Sequence, residues 1–132
     1  GDILIWFDGD VVFTDQIRAG VLEYGFSGGY DLVYLGRLTH TELGFWGVKL
    51  SSQTREFLWY MPELYRSNAV FRLPEWHSAY IFDYARSHFR LKENNLTPGG
   101  KGNVWLQTQL SNFSMHNKGN LKQKAIDTSG LA

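Results

Sequence analysis

The chain has 132 residues, 43% of them hydrophobic, with 13 Lys plus Arg against 13 Asp plus Glu and a formal net charge of zero. This length suits one compact domain, the apolar share excludes global disorder, and a neutral chain lacks the basic excess with which a duplex-binding protein displaces counterions, so nucleic acid is not an expected partner. No apolar run approaches the roughly 20 residues that span a bilayer. The absence of cysteine excludes disulfide scaffolds, Cys-ligated zinc and thiol catalysis. Any metal must therefore be held by oxygen and imidazole. With no signal-peptide pattern, the cytoplasm is the favoured location.

Ile3-Leu4-Ile5-Trp6-Phe7 is a continuous apolar run, the pattern of a strand covered on both faces. Asp8-Gly9-Asp10 interrupts it and Val11-Val12-Phe13 resumes it. Thr14 is placed to cap a helix over 15–24, which Gly25, Gly28 and Gly29 end. Strands are expected at 31–35 and 43–50. Gly44 and Gly47 inside the second mark a bulge or a close approach. Ser51 and Ser52 cap the next helix, whose apolar face is Phe57, Leu58, Met61, Leu64 and Tyr65, with Pro62 expected to kink or end it. A short strand is read at 70–73, a central buried helix at 75–89, a loop at 94–100, a short helix at 104–110 and a mobile tail after Lys122. Alternating strands and helices give an α/β or α+β class with a mixed sheet and flanking helices.

Two constellations carry chemistry. Asp8 and Asp10 flank Gly9 at the end of a strand, where open α/β sheets bind ligands. Two carboxylates one residue apart on a turn converge on one hard cation, although Asp-Gly is also ordinary turn chemistry. Near the other end, 116–122 reads H-x-x-G-x-x-K, an imidazole for a divalent ion, a glycine for close approach and a lysine for phosphate. A polar, basic loop with no function would look the same in isolation.

Taken together, the D-x-D and the distal H-x-x-G-x-x-K resemble GT-A type glycosyltransferases, especially the glycogenin and lipopolysaccharide galactosyltransferase group. The resemblance covers residues 3–122. It implies a GT-A-like fold, Asp8, Asp10 and His116 as ligands of Mn2+ (or Mg2+), and Gly119 and Lys122 on the diphosphate of a nucleotide-sugar donor. It also implies transfer of that sugar to a carbohydrate or other acceptor. After the lysine the family often continues Pro-Trp, where this chain has Gln123-Lys124. In such enzymes the D-x-D follows a nucleotide-binding βαβ portion. Its position at residue 8 therefore implies the C-terminal portion of a catalytic domain over 1–122, with a flexible tail over 123–132. Such a piece would expose the edge of its first strand and is expected to form a homo-oligomer.

In the middle, Glu42-Leu43-Gly44-Phe45-Trp46-Gly47 resembles the glycine-rich strand beside donor and acceptor, and Glu75-Trp76-His77-Ser78 the segment carrying an acid near the reacting sugar. Ser78 stands where that acid is expected. Glu75, Glu42 and Asp83 are the carboxylates on offer, with Asp83 read as a satisfied buried group. His77 is read as an acceptor-binding residue or a hydrogen-bonded core histidine. The catalytic candidates are therefore Glu75, His77 and Glu42. Trp46, Trp59, Trp76 and Trp105 suit sugar stacking and a core equally, and His40 and His88 read as surface residues. Two rival readings remain open. Asp8-Gly9-Asp10-Val11-Val12 also resembles the D-x-D-x-[TV] motif of haloacid dehalogenase-type Mg-dependent phosphatases, although no later paired aspartates follow. The chain also fits a transferase-like binding domain without turnover.

Overall fold

The computed structural model describes residues 1–117, which form a mixed α/β fold. A four-stranded sheet runs in the order β1 (Ile3–Phe7), β4 (Glu42–Lys49), β3 (Leu32–Leu35), β5 (Glu93–Asn95). β4 is antiparallel to both β1 and β3, while β5 joins β3 in parallel. A separate two-stranded ladder pairs β2 (Val11–Phe13) with β6 (Ser114–His116). The helices are α1 (Ala19–Tyr24), α2 (Ser52–Arg66) and α3 (Ser78–Ser87), with 3-10 turns at Ala69–Arg72, Val104–Gln107 and Gln109–Asn112.

The strand alternation sorts side chains onto two faces. Leu32, Tyr34 and Val48 pack with Phe57 of α2 and Phe82 of α3. Val33, Leu35 and Phe45 pack on the opposite side with Val104, Trp105, Leu110 and Phe113. Each fully buried phenylalanine contributes about 1.5–3 kcal/mol relative to exposure. Both sides of the sheet centre are thus covered, and β4 is held rigidly beneath the site described below.

α2 begins as its serines predict. Ser51 accepts the Thr54 N–H, and the Thr54 hydroxyl receives the Ser51 N–H in return. The helix nevertheless runs through Pro62 to Arg66 without the expected break. Packing of Leu64 beyond the proline, against Val70 and Ile81, holds the last turn in place.

Several expectations are corrected. β1 is an edge strand with Leu4 and Trp6 half exposed, because among the described residues β4 alone pairs with it. α1 starts at Ala19 with Arg18 at its N-cap, and the Thr14 and Asp15 amides instead donate to the Phe113 carbonyl. Residues 69–72 form a 3-10 turn rather than a strand, with Val70 buried against α2 and α3. α3 begins at Ser78 and buries one face, Ile81, Phe82 and Ala85, rather than its whole circumference. Residues 93–95, whose last two were read as loop, form β5, where tertiary pairing overrides the poor strand propensity of asparagine. The helix read at 104–110 is two 3-10 turns broken at Thr108. Among the described residues no helix is long and apolar enough to cross a membrane.

Candidate metal centre

Asp8 lies just past the end of β1. Its N–H donates to the Gly44 carbonyl of β4, and its carbonyl accepts the Val11 N–H, which closes the turn. Asp10 then leads into β2, whose ladder sets Val11 opposite His116. The Asn117 N–H donates to the Asp10 carbonyl and extends that register. Backbone pairing thus delivers His116 to the aspartate turn across 106 residues of chain.

His116 Nε2 stands 2.7 Å from Asp10 Oδ1 and 3.7 Å from Asp8 Oδ2, and these three residues offer ligand atoms within 4.8 Å of one another. The imidazole is buried, at 5% exposure, while Asp8 is open to solvent at 44%. On its other side, His116 Nδ1 lies 3.0 Å from Glu42 Oε1. Glu42 is itself buried, accepts the Gly44 N–H at 3.0 Å and has the Arg37 guanidinium 3.6 Å away. The Trp105 ring packs against the imidazole, 5.3 Å between centroids.

The glycine at 44 is required by this arrangement. A Cβ there would stand 2.6 Å from His116 Nδ1 and 2.8 Å from the Trp105 ring, both inside contact distance. The close approach expected at Gly44 is therefore the site histidine itself. At Gly47 the neighbour is the Ile5 side chain, 2.6 Å from the same notional atom.

The donor set fits a divalent cation. A Glu42 carboxylate facing Nδ1 favours the tautomer with the proton on that nitrogen, which turns the Nε2 lone pair toward two carboxylates. A proton on Nε2 makes the 2.7 Å contact with Asp10 a hydrogen bond, and a divalent cation can take that proton's place. Two oxygens and one imidazole nitrogen suit Mn2+ or a similar ion. Exposed Asp8 leaves the open side on which a further ligand can bind.

This centre lines one end of an open cleft of about 520 Å3. Trp6, Trp46 and Phe82 line it, and His77 stands on its wall. The other sequence candidates gather separately. Glu75 and His77 meet His40, with Glu75 Oε1 3.3 Å from His77 Nε2 and Glu75 Oε2 3.4 Å from His40 Nε2. Asp83 is satisfied, accepting from the Thr41 N–H and hydroxyl and pairing with Arg86. Glu42 lines the cleft and also faces His116, whose ring it can position. Gly119 and Lys122 lie outside the described residues, as does the tail at 123–132.

Sequence reasoning missed His40, Arg37 and the contact of Trp105 with His116. None lies on a periodic pattern with the site, and His40 is joined to Glu75 and His77 only by the docking of two loops. No family model, curated protein or solved structure matches the chain.

Proposed function

We propose that this chain is part of a metal-dependent glycosyltransferase of GT-A type, taking a nucleotide-diphosphate sugar as donor. The observation that carries the reading is the convergence of Asp8, Asp10 and His116, two distant motifs, on one point at the mouth of a cleft. A divalent ion held there would supply charge stabilisation to the diphosphate leaving group. The chain's own residues do the rest. Asp8, Asp10 and His116 would hold the cation, with Glu42 beside Nδ1 fixing the His116 ring. Trp6 and Trp46, stacked at 6.5 Å between centroids beside the cleft, offer flat apolar faces to a sugar ring. His77, on the cleft wall, is the acceptor-side candidate, with Glu75 as its hydrogen-bonded carboxylate. Gly119 and Lys122 remain the proposed diphosphate contacts.

Calorimetry of the full chain with Mn2+, then with uridine diphosphate in its presence, tests this. Binding of Mn2+ that falls in Asp10→Asn and in His116→Ala, with nucleotide binding dependent on Mn2+, is the expected result. Mn2+ binding indifferent to both substitutions overturns the site. Nucleotide binding indifferent to Mn2+ overturns the donor assignment. Turnover of p-nitrophenyl phosphate with Mg2+, abolished by Asp8→Asn, would replace the transferase reading with a phosphatase.

A further inference from the structure

We propose that His40, Glu75 and His77 form a second metal site, selective for a borderline ion of the Zn2+ type. It uses none of the residues of the Asp8–Asp10–His116 centre, and it gives Glu75 and His77 a role other than the acceptor-side one of the transferase reading.

The three side chains come from two loops. His40 lies between β3 and β4, and Glu75 and His77 lie on the approach to α3. Both imidazoles turn Nε2 toward the same carboxylate, one to each oxygen, at 3.4 and 3.3 Å. Ligand atoms about 2.0–2.2 Å from a tetrahedral Zn2+ stand about 3.3 Å apart, close to each of these separations, which run to different oxygens of Glu75, so a shared ion would draw the two imidazoles together. The rings meet edge to face at 4.7 Å between centroids, and all three ligand atoms fall within 4.8 Å of one another. Two imidazoles and one carboxylate form a softer donor set than two carboxylates and one imidazole, which separates the preferences of the two centres.

The surroundings support coordination by His40. Its Nδ1 faces Asp83 Oδ2 at 4.0 Å, and Asp83 is anchored by the Thr41 N–H and by Arg86. At that distance there is no hydrogen bond, and Asp83 contributes negative charge behind the ring, which favours a cation on the other side. At His77, Nδ1 accepts the Tyr80 N–H at 3.3 Å and so caps α3. That bond keeps the imidazole proton on Nε2. Coordination through Nε2 shifts the proton to Nδ1 and releases the Tyr80 amide. Metal binding and the helix cap are therefore mutually exclusive at His77. The group is partly solvent-exposed, with side-chain exposures of 31%, 45% and 49% for His40, Glu75 and His77, which leaves an open coordination position for water or for a cleft ligand. His77 also lines the cleft that holds Asp8 and Asp10, so an ion here would face whatever binds there.

The test is titration of the full chain with Zn2+ alone, read by calorimetry and by backbone amide NMR. Zn2+ also suits the Asp8–Asp10–His116 centre, so two events are expected, of which one shifts the Tyr80 amide and speeds its exchange. That event should weaken more than about tenfold in His40→Ala and in His77→Gln, and persist in Asp10→Asn. His40→Ala leaves the cap of α3 in place, so a loss there does not report on helix unfolding. No Zn2+ binding, binding that leaves the Tyr80 amide unmoved, or a Tyr80 shift abolished by Asp10→Asn overturns the proposal.

Discussion

Gly44 and His116 occupy each other's space: the ring of the histidine fills the volume a side chain at 44 would need, 2.6 Å from the notional Cβ. The strand that carries Gly44 also accepts the Asp8 amide, so one backbone position sets both halves of the candidate centre.

Gly44→Ala is therefore expected to push His116 away from Asp10 or to strain the strand. Overpacking of this kind costs about 1–3 kcal/mol, which lowers Tm by about 4 °C per kcal/mol in a chain of this size. Thermal unfolding together with a Mn2+ titration reads both effects. A variant with unchanged Mn2+ affinity would separate the histidine from the ion.

Glu42→Gln tests the positioning role of Glu42. Loss of an outer carboxylate behind a ligating histidine weakens metal affinity about 10–100-fold. The expected pattern is weaker Mn2+ binding with an unchanged far-UV circular dichroism spectrum. Were Glu42 instead a group acting on the sugar, Mn2+ affinity would stay unchanged.

The exposed edge of β1 predicts association. Leu4 and Trp6 are 48% and 50% exposed on a strand whose outer side has no partner among the described residues. Light scattering should show concentration-dependent growth, reduced by Leu4→Lys, which places a charge on that edge. A monomer at all concentrations, with or without the lysine, would contradict this.

Tyr34 links stability to alkaline pH. Burial chiefly raises its pKa above the ordinary 10.0, against a lowering by Arg86, whose guanidinium lies 4.0 Å over the ring. The folded state therefore holds the phenolic proton more tightly than the unfolded chain. Its contribution is fully present below pH 10 and is lost as pH rises through the folded value. Urea unfolding midpoints should fall above that pH, and Tyr34→Phe should flatten the fall. An equal fall in both proteins would assign the effect elsewhere, for example to Tyr60, whose pKa is also raised by burial.

Much of the local architecture was legible in the residues. The serine cap before α2, the glycine-punctuated strand at 42–49 and the aspartate turn after an apolar run each follow from rules that act over a few positions. Misreadings arose where neighbours beyond those positions decided. Asn94 and Asn95 became strand because β3 offered a parallel edge, and 69–72 became a 3-10 turn because Val70 had a pocket between two helices. Glu42 lies buried beside His116 and Arg37, contacts that no spacing in the sequence indicated.

What the sequence by itself determined is the inventory: an oxygen-and-imidazole chemistry without cysteine, a D-x-D turn at a strand end and the positions of the two longest strands and helices. What only the tertiary structure decided is proximity. The pairing of β2 with β6 carries His116 to Asp10, and the docking of two loops carries His40 to Glu75 and His77. Contacts between distant segments depend on which edges and faces pack in three dimensions, and no period within a strand or helix encodes that choice.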